Sequence, residues 1–346
     1  MTHGGDIYTA SEITGKSPYH IIDLSSSVNP IPLPNKIKRK VIEKFPFIHK
    51  YPDTEARQFK KIISEFYNIP FENIICGNGS TELIYLTVKT LKPASVLILE
   101  PTFTEYEKAC KVNGIEKIEK IFTLNREEIF ERIKEKMQKR KYEIVFICNP
   151  NNPTGCLINK KEILRLASFY ENTVFVVDEA FIDFVPDESL IKNAISKNII
   201  VLRSLTKFYG LAGLRFGYAV TSSEIIEKMK IYRQPWSINS LAQWIAEEII
   251  KDEEFKRQSY AFFMKEKEFF ECTLNELKVK YFPSVANFYL IEIPKKGIFK
   301  YMLERGILIR DCSDFYGLNE NFIRVSVKTR DENEKFFKEL REFLRI

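Results

Sequence analysis

The chain has 346 residues, with 53 Lys and Arg against 47 Asp and Glu for a formal charge of +6, and it is 45% hydrophobic and 29% charged. That much apolar material, 28 Phe included, excludes a disordered chain, and a mild charge spread over this length excludes a concentrated nucleic-acid-binding stripe. No apolar run approaches the ~20 residues that span a bilayer, and six cysteines without a C-x-x-C pair and three scattered histidines give no metal site, so no membrane, nucleic acid or metal is expected.

The start of the chain, Met1 to Asp6, lacks the charged-then-apolar layout of a secretory signal. With the cysteines read as buried free thiols, a cytoplasmic location is expected. Asn29-Pro30-Ile31-Pro32-Leu33-Pro34 reads as an extended N-terminal arm. Short apolar, β-branched runs then alternate with stretches of helical period, the pattern of a largely parallel α/β sheet. Strands are predicted at Asn73–Cys76, Ser95–Glu100, Glu143–Cys148, Thr173–Asp178, Asn198–Ser204 and Phe216–Val220, with helices at Thr81–Leu91, Glu105–Lys111 and Lys160–Tyr170. From Ser240 to about Leu277 the pattern is one long charged amphipathic helix that could break near Lys251-Asp252. Strand Asn287–Ile293, helix Gly297–Arg305, strands Ile307–Asp311 and Phe322–Val327 and a last helix from Arg330 then read as a separate α+β unit. The expected division is an arm over 1–40 packing on the small domain and the substrate site, a large domain over 41–235, and a small C-terminal domain over 236–346 opened by the linking helix.

Three segments at predicted strand ends carry chemistry. In Ser204-Leu205-Thr206-Lys207, followed eight residues later by Arg215, a lysine lies beside hydroxyls and a guanidinium. Alone, Lys207 reads as a surface lysine after a strand. In this company it suits a cofactor with an aldehyde and a phosphate, Lys207 forming a Schiff base while Ser204, Thr206 and Arg215 hold the phosphate. Asp178 ends the apolar run Thr173–Val177, where ligands of open α/β sheets bind. It reads either as a cap on the next helix or as a buried carboxylate paired with a protonated pyridine nitrogen. Asn149-Pro150-Asn151-Asn152-Pro153-Thr154-Gly155 could be a tight turn, or present an Asn amide to a phenolate oxygen on the same ring. A fourth segment, Gly77-Asn78-Gly79-Ser80, offers free backbone N–H groups to an anion at the start of a helix.

Together these segments resemble the fold-type-I pyridoxal-phosphate enzymes of the class I/II aminotransferase superfamily, over nearly the whole chain and in the family's order. The resemblance implies a large α/β domain with a mainly parallel seven-stranded sheet, a small α+β C-terminal domain, pyridoxal 5'-phosphate as cofactor, and a homodimer with shared active sites. It implies Lys207 as the covalent lysine, Asp178 on the pyridinium nitrogen, Asn152 on the ring oxygen and Phe103 stacked on the ring. Gly79 and Ser80 would meet the phosphate, Tyr51 the phosphate of the neighbouring subunit, and Arg324 the substrate carboxylate. The chain departs from many members in having Phe181, not Tyr, three residues after Asp178.

Within the superfamily, His3-Gly4-Gly5-Asp6, Ile22 to Pro30 and Gly306 to Ser313 resemble the threonine-phosphate decarboxylases of cobalamin biosynthesis, a branch close to the histidinol-phosphate aminotransferases. That likeness implies a small phosphorylated amino-acid substrate, with Arg310 on its phosphate and His3 and Asn29 lining the same pocket. The implied reaction is loss of CO2 from L-threonine O-3-phosphate to give (R)-1-aminopropan-2-yl phosphate, the alternative being amino transfer.

Overall fold

The computed structural model describes residues 3–195 and 198–345. The first two positions of the expected arm and the last residue of the expected C-terminal domain lie outside that range. No helix among the described residues is long and apolar enough to cross a membrane.

Seven strands form the main sheet, in the order Ile74–Gly77, Gly217–Val220, Ile199–Ser204, Val174–Asp178, Ile144–Cys148, Val96–Glu100 and Ile118–Phe122. All run parallel except Gly217–Val220, which is antiparallel to both its neighbours. Alternation along the strands divides the core between the two faces. Val145, Ile147, Phe175 and Val177 pack on one side, and Ile144, Phe146 and Val176 on the other. The seventh strand, Ile118–Phe122, is absent from the residue-level reading because only Ile121 in it is buried. An edge strand has no need of the two-sided apolar run that marks its neighbours.

Register places the chemistry. Cys148 is paired with Asp178, and Asp178 with Leu202, so the parallel strands end side by side and the chain after each emerges on one rim.

A second sheet of four antiparallel strands has the order Arg310–Asp311, Phe322–Ser326, Phe288–Glu292 and Lys280–Tyr281. Helices Glu253–Glu276 and Arg330–Arg345 pack on it through Phe270, Leu274, Phe336, Phe337 and Leu340. The single strand expected over Ile307–Asp311 is two short ones with different partners. Ile307–Leu308 lies parallel to Ile22–Asp23, while Arg310–Asp311 joins the four-stranded sheet. The expected arm is likewise not simply extended. Helices Ile7–Thr14 and Asn35–Lys44 flank the Pro-rich stretch, the first capped by Asp6, whose carboxylate accepts from the Thr9 amide. The long helix from Ser240 is broken into Ser240–Ile249 and Glu253–Glu276, with Asp252 capping the second. Helices Arg57–Tyr67, Ile129–Lys139 and Ser223–Tyr232 lie in stretches the sequence reading left unassigned. Of the cysteines, Cys76, Cys110, Cys148 and Cys312 are buried, but Cys156 is half-buried and Cys272 exposed.

Candidate active site

At the carboxyl rim of the main sheet lies a cavity of about 380 Å³. Lys207, Asp178, Asn152, Phe103 and Ser80 line it, as do Ser204, Thr206 and Arg215. His3, Arg310 and Arg324 line it from the N-terminal segment and the second sheet.

Lys207 follows strand Ile199–Ser204 at once, and its backbone carbonyl accepts from the Asn29 and Gly210 amides, at 3.0 and 3.2 Å. Its half-buried ammonium sits 5.6 Å from the centre of the Phe181 ring and makes no ion pair with any described residue. Burial, then the nearby charges of Arg324, Arg215 and Lys328, push it down to about 8, against a smaller opposite pull from Asp178. At neutral pH it is still mainly an ammonium, but it gives up its proton far more readily than an ordinary lysine and so is poised as a nucleophile.

Asp178 is buried at the end of its own strand. Burial raises its carboxyl above the usual range, opposed by two donors: the Tyr106 hydroxyl to Oδ2 at 2.8 Å and the Ala180 amide to Oδ1 at 3.0 Å. The Ala180 contact is a local turn and not a helix cap, since the next helical turn, Ile182–Phe184, begins at Phe181 with no side-chain cap. Tyr106 was not legible as a site residue, because its partner lies 72 residues away. It is fully buried, its ring stacked on Phe146 at 5.0 Å.

Opposite charges give way to donors beside Arg215. Helix Gly79–Leu91 begins with no side-chain cap, leaving first-turn amides to be met by something else. A Cβ on Gly79 would lie 2.7 Å from an Arg215 guanidinium nitrogen, and one on Gly217 would lie 2.4 Å from the Ser80 amide nitrogen. The backbone contact requires glycine at Gly217, while at Gly79 the φ of +77° is what favours it, since the Arg215 side chain could shift. The buried Ser204 and Thr206 hydroxyls are 2.8 Å apart in the same cavity. Amides, two hydroxyls and a guanidinium therefore converge on one small volume, a setting for a phosphate.

Arg310 and Arg324 face each other across an antiparallel pair. Arg324 is buried and donates to the Asn152 side-chain oxygen and the Ser25 carbonyl, while its Nε finds no partner among the described residues. Burial pushes its guanidinium down to about 10, so it remains a cation at neutral pH. Arg310 is held by both oxygens of Asp314, at 2.8 and 2.7 Å.

Residues 19–340 match the family model of class I and II aminotransferases. The chain belongs to the class I and II aminotransferases. It is 32% identical to the threonine-phosphate decarboxylase of Salmonella typhimurium, over 99% of this chain and 96% of that protein. It is 34% identical to the histidinol-phosphate aminotransferase of Methanococcus aeolicus, over 95% of this chain and 91% of that one. The solved L-threonine-O-3-phosphate decarboxylase of Porphyromonas gingivalis superposes with a TM-score of 0.82 at 28% identity, covering 93% of this chain and 99% of that one. The fold is the fold-type-I transferase fold, and this class I/II enzyme depends on pyridoxal 5'-phosphate.

One expected position falls elsewhere, and another faces outward, as a residue meant for a neighbouring subunit would. Asn29 does not line the cavity of this family member. Its buried amide donates to the Phe208 carbonyl and the Ser259 hydroxyl, both at 2.8 Å, and its own N–H holds Lys207, so it braces the lysine loop from behind. Tyr51 is 81% exposed and stacks on Trp236 at 4.8 Å, away from the cavity of its own chain. Glu105 and Tyr85, unremarked in the sequence, join Tyr106 near the cavity, with Glu105 on its lining.

Proposed function

We propose that this enzyme decarboxylates L-threonine O-3-phosphate, releasing CO2 and (R)-1-aminopropan-2-yl phosphate in cobalamin biosynthesis, as a cytoplasmic homodimer. The observation that carries the reading is the pairing of Arg310 with Arg324 on the lining of the cavity that holds Lys207. A substrate with both a carboxylate and a phosphate offers Arg324 an anion and Arg310 a second one beside Asp314, and a planar fork binds such groups in a fixed orientation.

The donor set fits pyridoxal 5'-phosphate. Lys207 offers the amine, Asp178 a buried carboxylate, Phe103 an aromatic face and Asn152 an amide, while Ser80, Ser204, Thr206, Arg215 and the cradle at Gly79 would hold the phosphate. When bound, the cofactor supplies an aldehyde that captures amines and a cationic ring that takes up the electron pair of a breaking Cα bond. Asp178 would pair with the ring nitrogen and keep it protonated. Arg324 would take the substrate carboxylate and Arg310 its phosphate, and between them they would orient the substrate for cleavage of the Cα–carboxylate bond and not Cα–H. CO2 leaves, and the Lys207 ammonium returns a proton to Cα. Phe181 brings no hydroxyl to this centre, so Asn152 would be the main polar contact for the ring oxygen.

The exposed strip around Tyr51, with Phe45 and Phe47 each 52% exposed, supports a second copy as the partner that covers it. In that dimer Tyr51 would reach the neighbouring phosphate.

Amino transfer to or from histidinol phosphate is the second reading, favoured by relatives of equal identity. Histidinol phosphate has no Cα carboxylate and would leave one guanidinium without its anion. The test is incubation of the loaded enzyme with L-threonine O-3-phosphate and no keto acid. CO2 release is expected. Turnover only with histidinol phosphate plus 2-oxoglutarate would replace this reading with the second.

A further inference from the structure

Glu105 is a buried carboxylate in a cavity whose other charged groups are mostly cations. It opens helix Glu105–Val112, and three side chains share its oxygens. The Tyr85 hydroxyl donates to Oε2 at 2.6 Å, while His3 Nε2 and Lys108 Nζ lie 3.0 and 3.4 Å from Oε1. Burial pushes its carboxyl up, and Tyr85, Lys108 and His3 together outweigh that, leaving it below the usual range. Lys108 comes from the next turn of the same helix and Tyr85 from helix Gly79–Leu91, but His3 comes from 102 residues away.

The segment that brings His3 there is fastened at its other side to the substrate wall. The Gly5 amide donates to the Ser25 hydroxyl at 2.8 Å. A Cβ on Gly4 would lie 2.2 Å from the Ser25 carbonyl oxygen and 3.2 Å from an Arg324 guanidinium nitrogen, so only glycine lets the segment seat so closely. Ser25 in turn accepts from Arg324. His3 to Asp6 therefore bridges the cavity rim, from the main-sheet side at Glu105 to the second-sheet side at Arg324. The His3 side chain is still 48% exposed, and Glu105 holds it at 8% exposure of its own.

We propose that Glu105 is a positioning residue for substrate recognition: by holding His3 it fixes the N-terminal segment across the rim, where the far end of a phosphorylated amino acid meets it. The inference rests on the phosphorylated-substrate reading and adds the residue that enforces it. An amino acid without the phosphate, bound through its amine and carboxylate, does not extend to the rim and is indifferent to Glu105. Selection is by the length and charge of the substrate's far end.

The test is a double-mutant cycle on the cofactor-loaded dimer, with His3→Ala, Glu105→Ala and the pair, assayed with L-threonine O-3-phosphate. Each single change should raise KM about tenfold, the scale of one hydrogen bond to a charged group, with kcat falling less than about threefold. The double variant should be no worse than His3→Ala alone. Binding of unphosphorylated L-threonine, followed through the visible absorbance of the cofactor, should be the same in all four proteins. Glu105→Gln, which keeps the side-chain shape, guards against misfolding and should raise KM about threefold by weakening one charged contact. Unchanged KM in the glutamate variants, or effects that multiply in the double variant, would overturn the proposal. If the unaltered enzyme releases no CO2, the decarboxylase reading falls, whereas the cycle read as affinity for L-threonine O-3-phosphate still judges Glu105.

Discussion

Asp178 and Glu179 are consecutive, yet they serve two buried charge clusters of opposite design. Glu179 accepts from the Ser189 hydroxyl and the Leu190 amide, both at 2.6 Å, and lies 3.5 Å from Arg203, which also pairs with Asp183 at 2.5 Å. Two carboxylates thus hold one fully buried arginine, ringed by Tyr67 and Tyr218. Burial still pushes Glu179 up to about 7, so even this cluster is held against its desolvation. Four residues on from Arg203, Lys207 shares its cavity with Arg215 and Arg324, and the carboxylate that pulls on it, Asp178, is engaged by Tyr106. The first cluster spends its one arginine on its own two carboxylates and leaves no cation for an anionic ligand. The second leaves cations in excess, and an anionic cofactor and substrate complete it.

If this contrast is right, the largest effect on stability belongs to the closed cluster. Arg203→Met strands two buried carboxylates and should cost about 3–5 kcal/mol in denaturant unfolding. Adding Glu179→Gln and Asp183→Asn removes the stranded charge and should recover a large part of that loss. A triple variant no more stable than Arg203→Met would show that the cluster does more than balance charge. In the open cluster the expected losses are of binding rather than folding. Tyr106→Phe keeps the stacking on Phe146 but takes a donor from Asp178, and should weaken cofactor binding about tenfold when the cofactor-free protein is titrated and followed by visible absorbance. An unchanged affinity would make Tyr106 a packing residue only. The smallest effect is one of pH. Lys207 is held down near 8, so it is an ammonium below that pH and a free amine above it. The rate at which cofactor-free protein takes up pyridoxal 5'-phosphate should therefore climb with pH and level off above about 8. A midpoint near that of an ordinary lysine would contradict the assigned burial and charge.

The same contrast explains what could be read in advance. Central strands such as Ile144–Cys148 and Val174–Asp178 are buried on both faces and announce themselves as apolar runs. Ile118–Phe122 at the edge does not. Helix Arg57–Tyr67 carries a helical apolar spacing at Phe59, Ile62 and Ile63, but its start after Ala56 at φ 47° has no capping side chain to mark it. In the site, Lys207, Asp178 and Asn152 were legible because each directly follows or ends a strand, where ligands gather. Tyr106 and Glu105 lie on a helix whose pattern is that of any surface helix, and only folding shows that one faces Asp178 and the other His3. Asn29 was misplaced for the converse reason. Its neighbourhood in sequence pointed to the pocket, whereas its amide reaches past the lysine loop to Ser259 on the long helix.

The account stands on one amine, and chemical trapping interrogates it directly. Enzyme loaded with pyridoxal 5'-phosphate is reduced with borohydride, digested and mapped by mass spectrometry. The account predicts the pyridoxyl group on the peptide carrying Lys207. A label on Lys328, Lys108 or any other lysine, with Lys207 unmodified, would contradict it.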